Sequence, residues 1–303
     1  MVRTVVVLLL ALAACRTRDD LAVQPDAAQG EHVRLATFNV HRFFDTVCDS
    51  GLCGPGDYEV LPAADRFAAQ ADQIAAAIRG LDADMVALQE VETQACLDAL
   101  LARLDDVMPY GVLGETGGTA SVDVAVMSTR PLAAVRLHRA DNSLTLSGGG
   151  TALFSRELLE VQIHTELGKD VVLFAAHFRS KVDDDPARRL AEAQTASRIV
   201  NERAAQSPEA LVVLGGDLND TPASPPLNAL VVDGGLVRVA DDLPVAAQAT
   251  YSYQGRGQAI DHLLLAPSAS AVRQPRSSQV WRDGNGWGGS DHAALSSEFL
   301  LPY

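Results

Sequence analysis

Short apolar runs rich in Val, Ile, Leu and Ala recur along the chain at Val33–Phe38, Met85–Leu88, Val122–Met127, Leu158–Ile163, Val171–Ala176, Leu211–Leu214, Ile260–Leu265 and Ala293–Phe299. Runs this short, bounded by turn residues, predict strands rather than helices. Helical patterns lie between some of them. Arg66–Ile78 is alanine-rich with Phe67, Ile74 and Ile78 as its large apolar residues, and Ala187–Val200 follows Pro186, a favourable first-turn residue. Gly114–Gly118, Ser147–Gly150 and Pro222–Pro226 read as turns. Strands often follow strands without an intervening helix, which argues against an all-parallel sheet and for two packed mixed β-sheets with helices outside. No repeat divides the chain, and no linker after Gly30 is polar or long enough to separate two domains.

The amino terminus reads differently. Arg3 precedes an apolar run, Val5 to Ala14, that is shorter than the roughly 20 residues a membrane span needs but suits the core of a signal peptide. It ends in Leu12-Ala13-Ala14-Cys15, which resembles a bacterial lipobox and implies cleavage before Cys15 and lipid on its thiol. The competing reading is an ordinary signal peptide that contains a cysteine. Residues 1–15 are thus expected to be a signal segment, residues 16–31 a tether, and residues 32–303 the folded domain of an exported, membrane-anchored lipoprotein facing the periplasm or cell surface.

Composition adjusts this picture in two places. The 303 residues are 48% hydrophobic and 21% charged, enough for one sizeable domain. Net charge is −15, and Lys169 and Lys181 are the only lysines. That balance argues against passive coating of nucleic acid, which needs phosphate neutralisation. It leaves room for an enzyme that places a few arginines locally. Cys48 and Cys53 flank a turn-like loop open to a local disulfide in an oxidising compartment. A metal role is the competing reading, and one short pair without a second is a weak zinc signal. Cys96 reads as a buried hydrophobe.

Polar clusters stand at or just past the ends of the expected strands: Asn39, Glu90, His177 to Lys181, Asp217 to Asp220, Asp261-His262 and Asp291-His292. Each has a bland explanation as a cap, turn or solvated strand end. Their joint order is more specific. Phe38-Asn39-Val40, Leu88-Gln89-Glu90, Ala176-His177-Phe178, Gly216-Asp217-Leu218-Asn219, Ile260-Asp261-His262 and Ser290-Asp291-His292 together resemble the endonuclease/exonuclease/phosphatase superfamily, the deoxyribonuclease I-like fold, from about Val33 to Leu301. Within it, Phe43-Phe44-Asp45 and His177-Phe178-Arg179-Ser180-Lys181 are similar to secreted bacterial nucleases.

The resemblance implies an α+β fold, a four-layer α/β/β/α sandwich, and a metal-dependent phosphodiesterase acting as a monomer on nucleic acid. Glu90, with Asn39 and Asp291, would hold Mg²⁺ or Mn²⁺, a hard ion suited to oxygen ligands. His292 would be the general base, oriented by Asp261. Asp217 would position water or pass a proton, Asn219 would donate to the phosphoryl oxygen, and His177 would bind phosphate or assist the leaving group. Arg179 and Lys181 would contact phosphates of the substrate. Two departures stand out. His41 occupies a position where the family often has a carboxylate, and Ala294 one where it often has proline. His262, where tyrosine is common, reads as structural.

The rivals come from other classes. A calcineurin-like di-metal site would also use Gly-Asp-x-x-Asp, but its Asp-x-His and Gly-Asn-His triplets do not occur in this chain. A phosphatase or phospholipase C-type enzyme acting on inositol phosphate or sphingomyelin would share scaffold and metal chemistry. A catalytically decayed binding protein is the remaining rival, and it has only His41 in its favour.

Overall fold

The structure is a computed structural model that describes residues 30–303. Cys15 and the signal segment lie outside the described residues. The first part of the chain forms β1 (Gly30–Phe43), α1 (Ala64–Leu81), β2 (Met85–Val91), α2 (Gln94–Leu101), β3 (Tyr110–Gly114) and β4 (Asp123–Ser128). Next come β5 (Leu132–Leu137), the small hairpin β6 (Leu144–Thr145) and β7 (Thr151–Ala152), β8 (Leu159–His164) and β9 (Asp170–His177). They are followed by α3 (Pro186–Gln206), β10 (Leu211–Asp217), α4 (Pro225–Asn228) and β11 (Val237–Arg238). The hairpin β12 (Tyr251–Tyr253) and β13 (Arg256–Gln258), β14 (Asp261–Leu265), β15 (Gln279–Trp281) and β16 (Ala294–Pro302) complete the chain.

Two mixed six-stranded sheets result, one ordered β15-β16-β1-β2-β4-β3 and the other β11-β14-β10-β9-β8-β5. Strict alternation along each strand sorts its side chains into two layers. In β1, Phe38 and Val40 pack outward against Ile74 and Ile78 of α1 and Leu97 of α2. Val33 and Leu35 pack inward against Leu173 and Val213 of the second sheet. In that second sheet Phe174, Val212 and Leu214 face outward onto Ala196 and Val200 of α3. Three apolar layers between four strata of secondary structure confirm the α/β/β/α sandwich.

Packing, more than local capping, holds the helices. No side chain caps the start of α1, a bond whose loss costs about 1 kcal/mol. Its buried Ile74, Ile78 and Leu81 each contribute about 1.5–3 kcal/mol, so burial outweighs the missing cap. Helix α3 has both supports: the Asp185 side chain accepts from Arg188 N, and Pro186 opens the first turn.

Several expectations change. The tether does not reach residue 31, because Gly30 pairs with Pro302 and Glu31 with Leu301 in the β1–β16 ladder. These polar residues carry no alternation, so only their backbone pairing reveals the strand. The expected turn at Pro222–Pro226 holds the start of α4, where the Ser224 side chain accepts from Leu227 N. Strands β3 and β5, at the two sheet edges, and the short α2 were not anticipated. The Cys48–Cys53 loop closes as a disulfide with Cα atoms 6.0 Å apart, and Cys96 is a buried free thiol.

Candidate active site

The gap between the sheets is filled by aliphatic side chains until the final inward position of each strand. In β9, Val171, Leu173 and Ala175 belong to that apolar layer, and by the same parity the next inward residue is His177. In β10 the series Leu211, Val213, Gly215 ends at Asp217, and in β14 Leu265 and Leu263 lead back to Asp261. In β1, Val33 and Leu35 lead to Thr37 and Asn39. Alternation alone therefore brings Asn39, His177, Asp217 and Asp261 to one rim, all of them at least 96% buried, with relative exposures of 0–4%. Close approach of β9 and β10 there requires Gly216, since a Cβ at that position would sit 2.0 Å from the Ala176 carbonyl oxygen.

Glu90 breaks the alternation. Both β1 and β2 lose register at the rim, β1 between Asn39 and Phe43 and β2 between Gln89 and Val91. The extra residues adopt left-handed backbone, with φ of +57° at His41, +45° at Arg42 and +66° at Glu90. Bulges re-aim side chains, and these turn Glu90 back toward the cleft. Asn39 Nδ2 donates to Glu90 Oε1 at 3.1 Å and to Asp217 Oδ2 at 3.0 Å, tying the two sheets together. Arg42 N donates to Glu90 Oε2 at 2.8 Å. Ser290 Oγ donates to the Asn39 carbonyl and accepts from His292 N, so the serine of the Ser-Asp-His triplet anchors the rim.

Electrostatics separate the two buried histidines that line the cleft. His292 Nδ1 lies 2.9 Å from Asp261 Oδ2, and its Nε2 faces Asp217 Oδ2 at 3.9 Å, beyond hydrogen-bond range. Burial opposes a charge on His292, but the Asp261 carboxylate, with Asp217 and Asp291, more than reverses this and favours the imidazolium. His177 goes the other way. Burial, then the charges of Arg156 and His292, hold its pKa well below the usual histidine value, so the ring is neutral. Its Nδ1 is buried without a partner. Asp217, buried beside Asp261, is pushed up from the ordinary carboxylate range. Opposed pKa shifts on neighbouring groups are the usual mark of divided acid–base roles.

The remaining expected residues are placed unevenly. Asn219, at φ +52°, spends one amide hydrogen on the Phe178 carbonyl at 3.1 Å, while its backbone N donates to Asp217 Oδ1. Asp291 Oδ1 lies 2.8 Å from His41 Nδ1. That contact raises the His41 pKa and, against burial, lowers that of Asp291. The Lys181 ammonium is held by Asp220 at 2.9 Å, whereas Arg179 Nη2 reaches only the Asp183 carbonyl. Both still line the cleft, of about 690 Å³. His262 is structural, accepting from Arg238 Nε and contacting the Asp220 carbonyl. Sequence reasoning missed Tyr58, Arg156, Tyr251 and Tyr253, which also line the cleft. Tyr58 and Arg156 are single residues in loops, which carry no spacing signal, and Tyr251 and Tyr253 lie on the three-residue strand β12, too short for alternation to declare itself.

Glu90, on its bulge, Asn39, which donates to it, and Asp291, paired with His41, carry oxygen atoms of the kind a hard divalent cation takes, beside the buried carboxylates Asp217 and Asp261. It is Asp217, Asp261 and His292 that bring ligand atoms within 4.8 Å of one another. The Asp261–His292 hydrogen bond explains much of that closeness. The sequence profile of the Endonuclease/Exonuclease/phosphatase family matches residues 36–292. The chain belongs to that family. Its fold is similar to that of SmcL, with 17% identity, 89% of this chain and 99% of that chain covered and a TM-score of 0.63. An endonuclease/exonuclease/phosphatase from Beutenbergia cavernae gives 19% identity, 89% and 72% coverage and a TM-score of 0.61. Danio rerio TDP2, solved with a single-strand DNA product, gives 17%, 88%, 98% and 0.58. No curated protein matches the chain by sequence. Membership of that family makes the protein a divalent-metal-dependent hydrolase of phosphoester bonds.

Proposed function

We propose that this family member is a phosphodiesterase acting on nucleic acid with Mg²⁺ or Mn²⁺, exported and lipid-anchored through Cys15, and monomeric. The observation that carries the substrate reading is the cationic wall of the cleft, where Arg156 and Arg179, with Lys181 paired to Asp220, line the same space as the acid–base residues. In a chain of net charge −15 such a wall is a local device for phosphate. TDP2 of Danio rerio, on the same fold, was solved with a DNA product.

Glu90, Asn39 and Asp291 would hold the ion, which when bound neutralises phosphate charge and lowers the barrier to attack. A cation bound among the carboxylates would offset their pull on His292, and its ring, then neutral at Nε2, would take the proton of the attacking water. Asp261 orients the ring through Nδ1 and stabilises the imidazolium that results. Asp217, fixed by Asn39 and by Asn219 N, holds the water. The free amide hydrogen of Asn219 and the neutral His177 ring serve the phosphoryl and leaving oxygens.

The test is a panel of DNA, RNA, bis-p-nitrophenyl phosphate and sphingomyelin assayed with Mg²⁺, Mn²⁺ or chelator. Nucleic acid cleavage that chelator abolishes supports the proposal. Hydrolysis of sphingomyelin alone transfers it to the phospholipase C-type reading. Membrane fractionation of the wild type, lost in Cys15→Ser, tests the anchor, and failure of metabolic lipid labelling rejects it.

A further inference from the structure

A second cavity, of about 400 Å³, adjoins the cleft and shares Tyr58, Arg156 and Arg179 with it. Its other cationic walls are Arg139, from the chain after β5, and Arg188, in the first turn of α3. How these guanidinium groups are held is informative. Arg139 Nε donates to the Phe154 carbonyl, Arg156 Nε to Val122, Arg188 Nε and Nη2 to Leu153, and Arg179 Nη2 to Asp183. Backbone carbonyls thus fix the position of each group without neutralising its charge. Among the described residues no carboxylate lies within 4.0 Å of Arg139, Arg156 or Arg179, and Arg188 meets only Glu192, at 3.8 Å.

The one carboxylate in the wall, Asp123, is fully buried and saturated by Thr116 N, Thr116 Oγ1 and Ser121 Oγ. Two further donors, Ser155 Oγ and Arg179 Nε, are buried in this wall with no partner. Buried donors without acceptors are costly, and a concave set of them around unpaired guanidinium groups has the chemistry of an anion site.

We propose that this cavity is a second phosphate subsite, holding a phosphate of the substrate adjacent to the scissile one. This deepens the nucleic-acid reading and rests on it for the identity of the substrate. A phosphodiester with a single phosphate reaches only the cleft, whereas a chain with a neighbouring phosphate engages both cavities and is bound in register. Arg156 and Arg179, standing between the two, are shared by both phosphates.

The test compares dTpdT with pdTpdT and dTpdTp, which carry a second phosphate at opposite ends, on the purified metal-loaded protein. One of the two is expected to be cleaved with kcat/KM raised about tenfold over dTpdT, the effect of one charge-assisted contact set. Arg139→Gln/Arg188→Gln is expected to remove that gain while leaving dTpdT cleavage unchanged, which also reports intact folding. The Arg139→Lys/Arg188→Lys variant, which keeps the charge, should recover part of it. No gain with either end, or a gain undiminished in the glutamine variant, overturns the proposal. Inorganic phosphate added to dTpdT distinguishes a free anion acting as effector, and activation by it overturns the adjacent-phosphate assignment. If no dinucleotide is cleaved, the nucleic-acid reading is decided separately, by cleavage of DNA and RNA. The subsite is then read from calorimetric binding of pyrophosphate in chelator, expected to weaken about tenfold in the glutamine variant. Equal affinity in the two proteins overturns it.

Discussion

His177, Asp217 and Asp261 stand at the regular ends of β9, β10 and β14, buried and aimed by simple alternation. Across the cleft, Glu90 and His41 stand on bulges at left-handed φ and are more exposed. The regular side has no freedom: its groups are packed between backbones that touch, as the proton-handling role proposed for them requires. The bulged side spends backbone strain, about 1–3 kcal/mol per residue, to bring a carboxylate to the rim that alternation would have turned away. Strain of that kind persists at functional sites. Here it falls on the half that would hold the ion.

The largest test of this division is Glu90→Gln, which removes charge with almost no change of volume. Activity is expected to fall on the order of a thousandfold, with an unaltered melting temperature, and chelation of the wild type should match it. Full activity in excess chelator would rule out the metal role. On the regular side, His292→Ala is expected to cost about 10²–10⁴-fold in kcat and Asp261→Asn less, because it orients the ring without carrying the proton. A worse Asp261 variant would reverse the two roles.

Stability should separate the two sides as well. Gly216→Ala places a methyl against an immovable carbonyl and should cost about 3 kcal/mol or more, read from urea midpoints. Arg42→Gly relieves left-handed strain of about 1 kcal/mol or more and loses a stacking contact with Tyr58 at 4.8 Å, worth about 0.5–1 kcal/mol. Its net change should lie within about 1 kcal/mol of zero. Equal damage from both substitutions would remove the distinction between a rigid and a yielding rim.

The last effect is in pH. Burial and the Arg238 guanidinium push His262 down from 6.5 to about 4. Between those values the unfolded chain binds a proton that the folded chain refuses. Stability is therefore complete above the unfolded value and declines as pH falls toward the folded one, by about 3 kcal/mol in total. His262→Asn should flatten this acid limb in urea titrations, and parallel curves for the two proteins would reject the linkage.

The inner strands and the residues of the regular rim were legible because alternation and burial write themselves into sequence. Every apolar run beginning at Val33, Met85, Val171 or Leu211 lies in a strand of the sandwich. The edge strand β5 was not legible, since Leu132–Leu137 is apolar in composition yet largely exposed and lacks the periodic contrast that marks a half-buried strand. Helix α2 is only eight residues long, too short for a helical period to declare itself. Glu90 was found through resemblance, not pattern, because the bulge that aims it leaves no trace in polarity. Lys181 was read as a phosphate contact, but the residue that neutralises it, Asp220, is distant in sequence. Arg139 and Arg156 escaped for a related reason, being single residues brought together by loops.

The paired bulges carry one more consequence. Below them, β1 is locked residue by residue to β16 from Gly30 to Thr37 and to β2 as far as Asn39. At the bulges the β1–β2 and β2–β4 ladders both shift register, and β1 meets β2 again only at Phe43 and Val91. A residue inserted into or deleted from the disulfide loop that follows β1 acts above the pair Phe43–Val91, which the bulges uncouple from the ladder beneath, so a slip there is not carried downward. The rim is in this sense a modular joint, through which loop length and recognition surface can diverge over generations while the carboxylate of Glu90 keeps its height above the sheet.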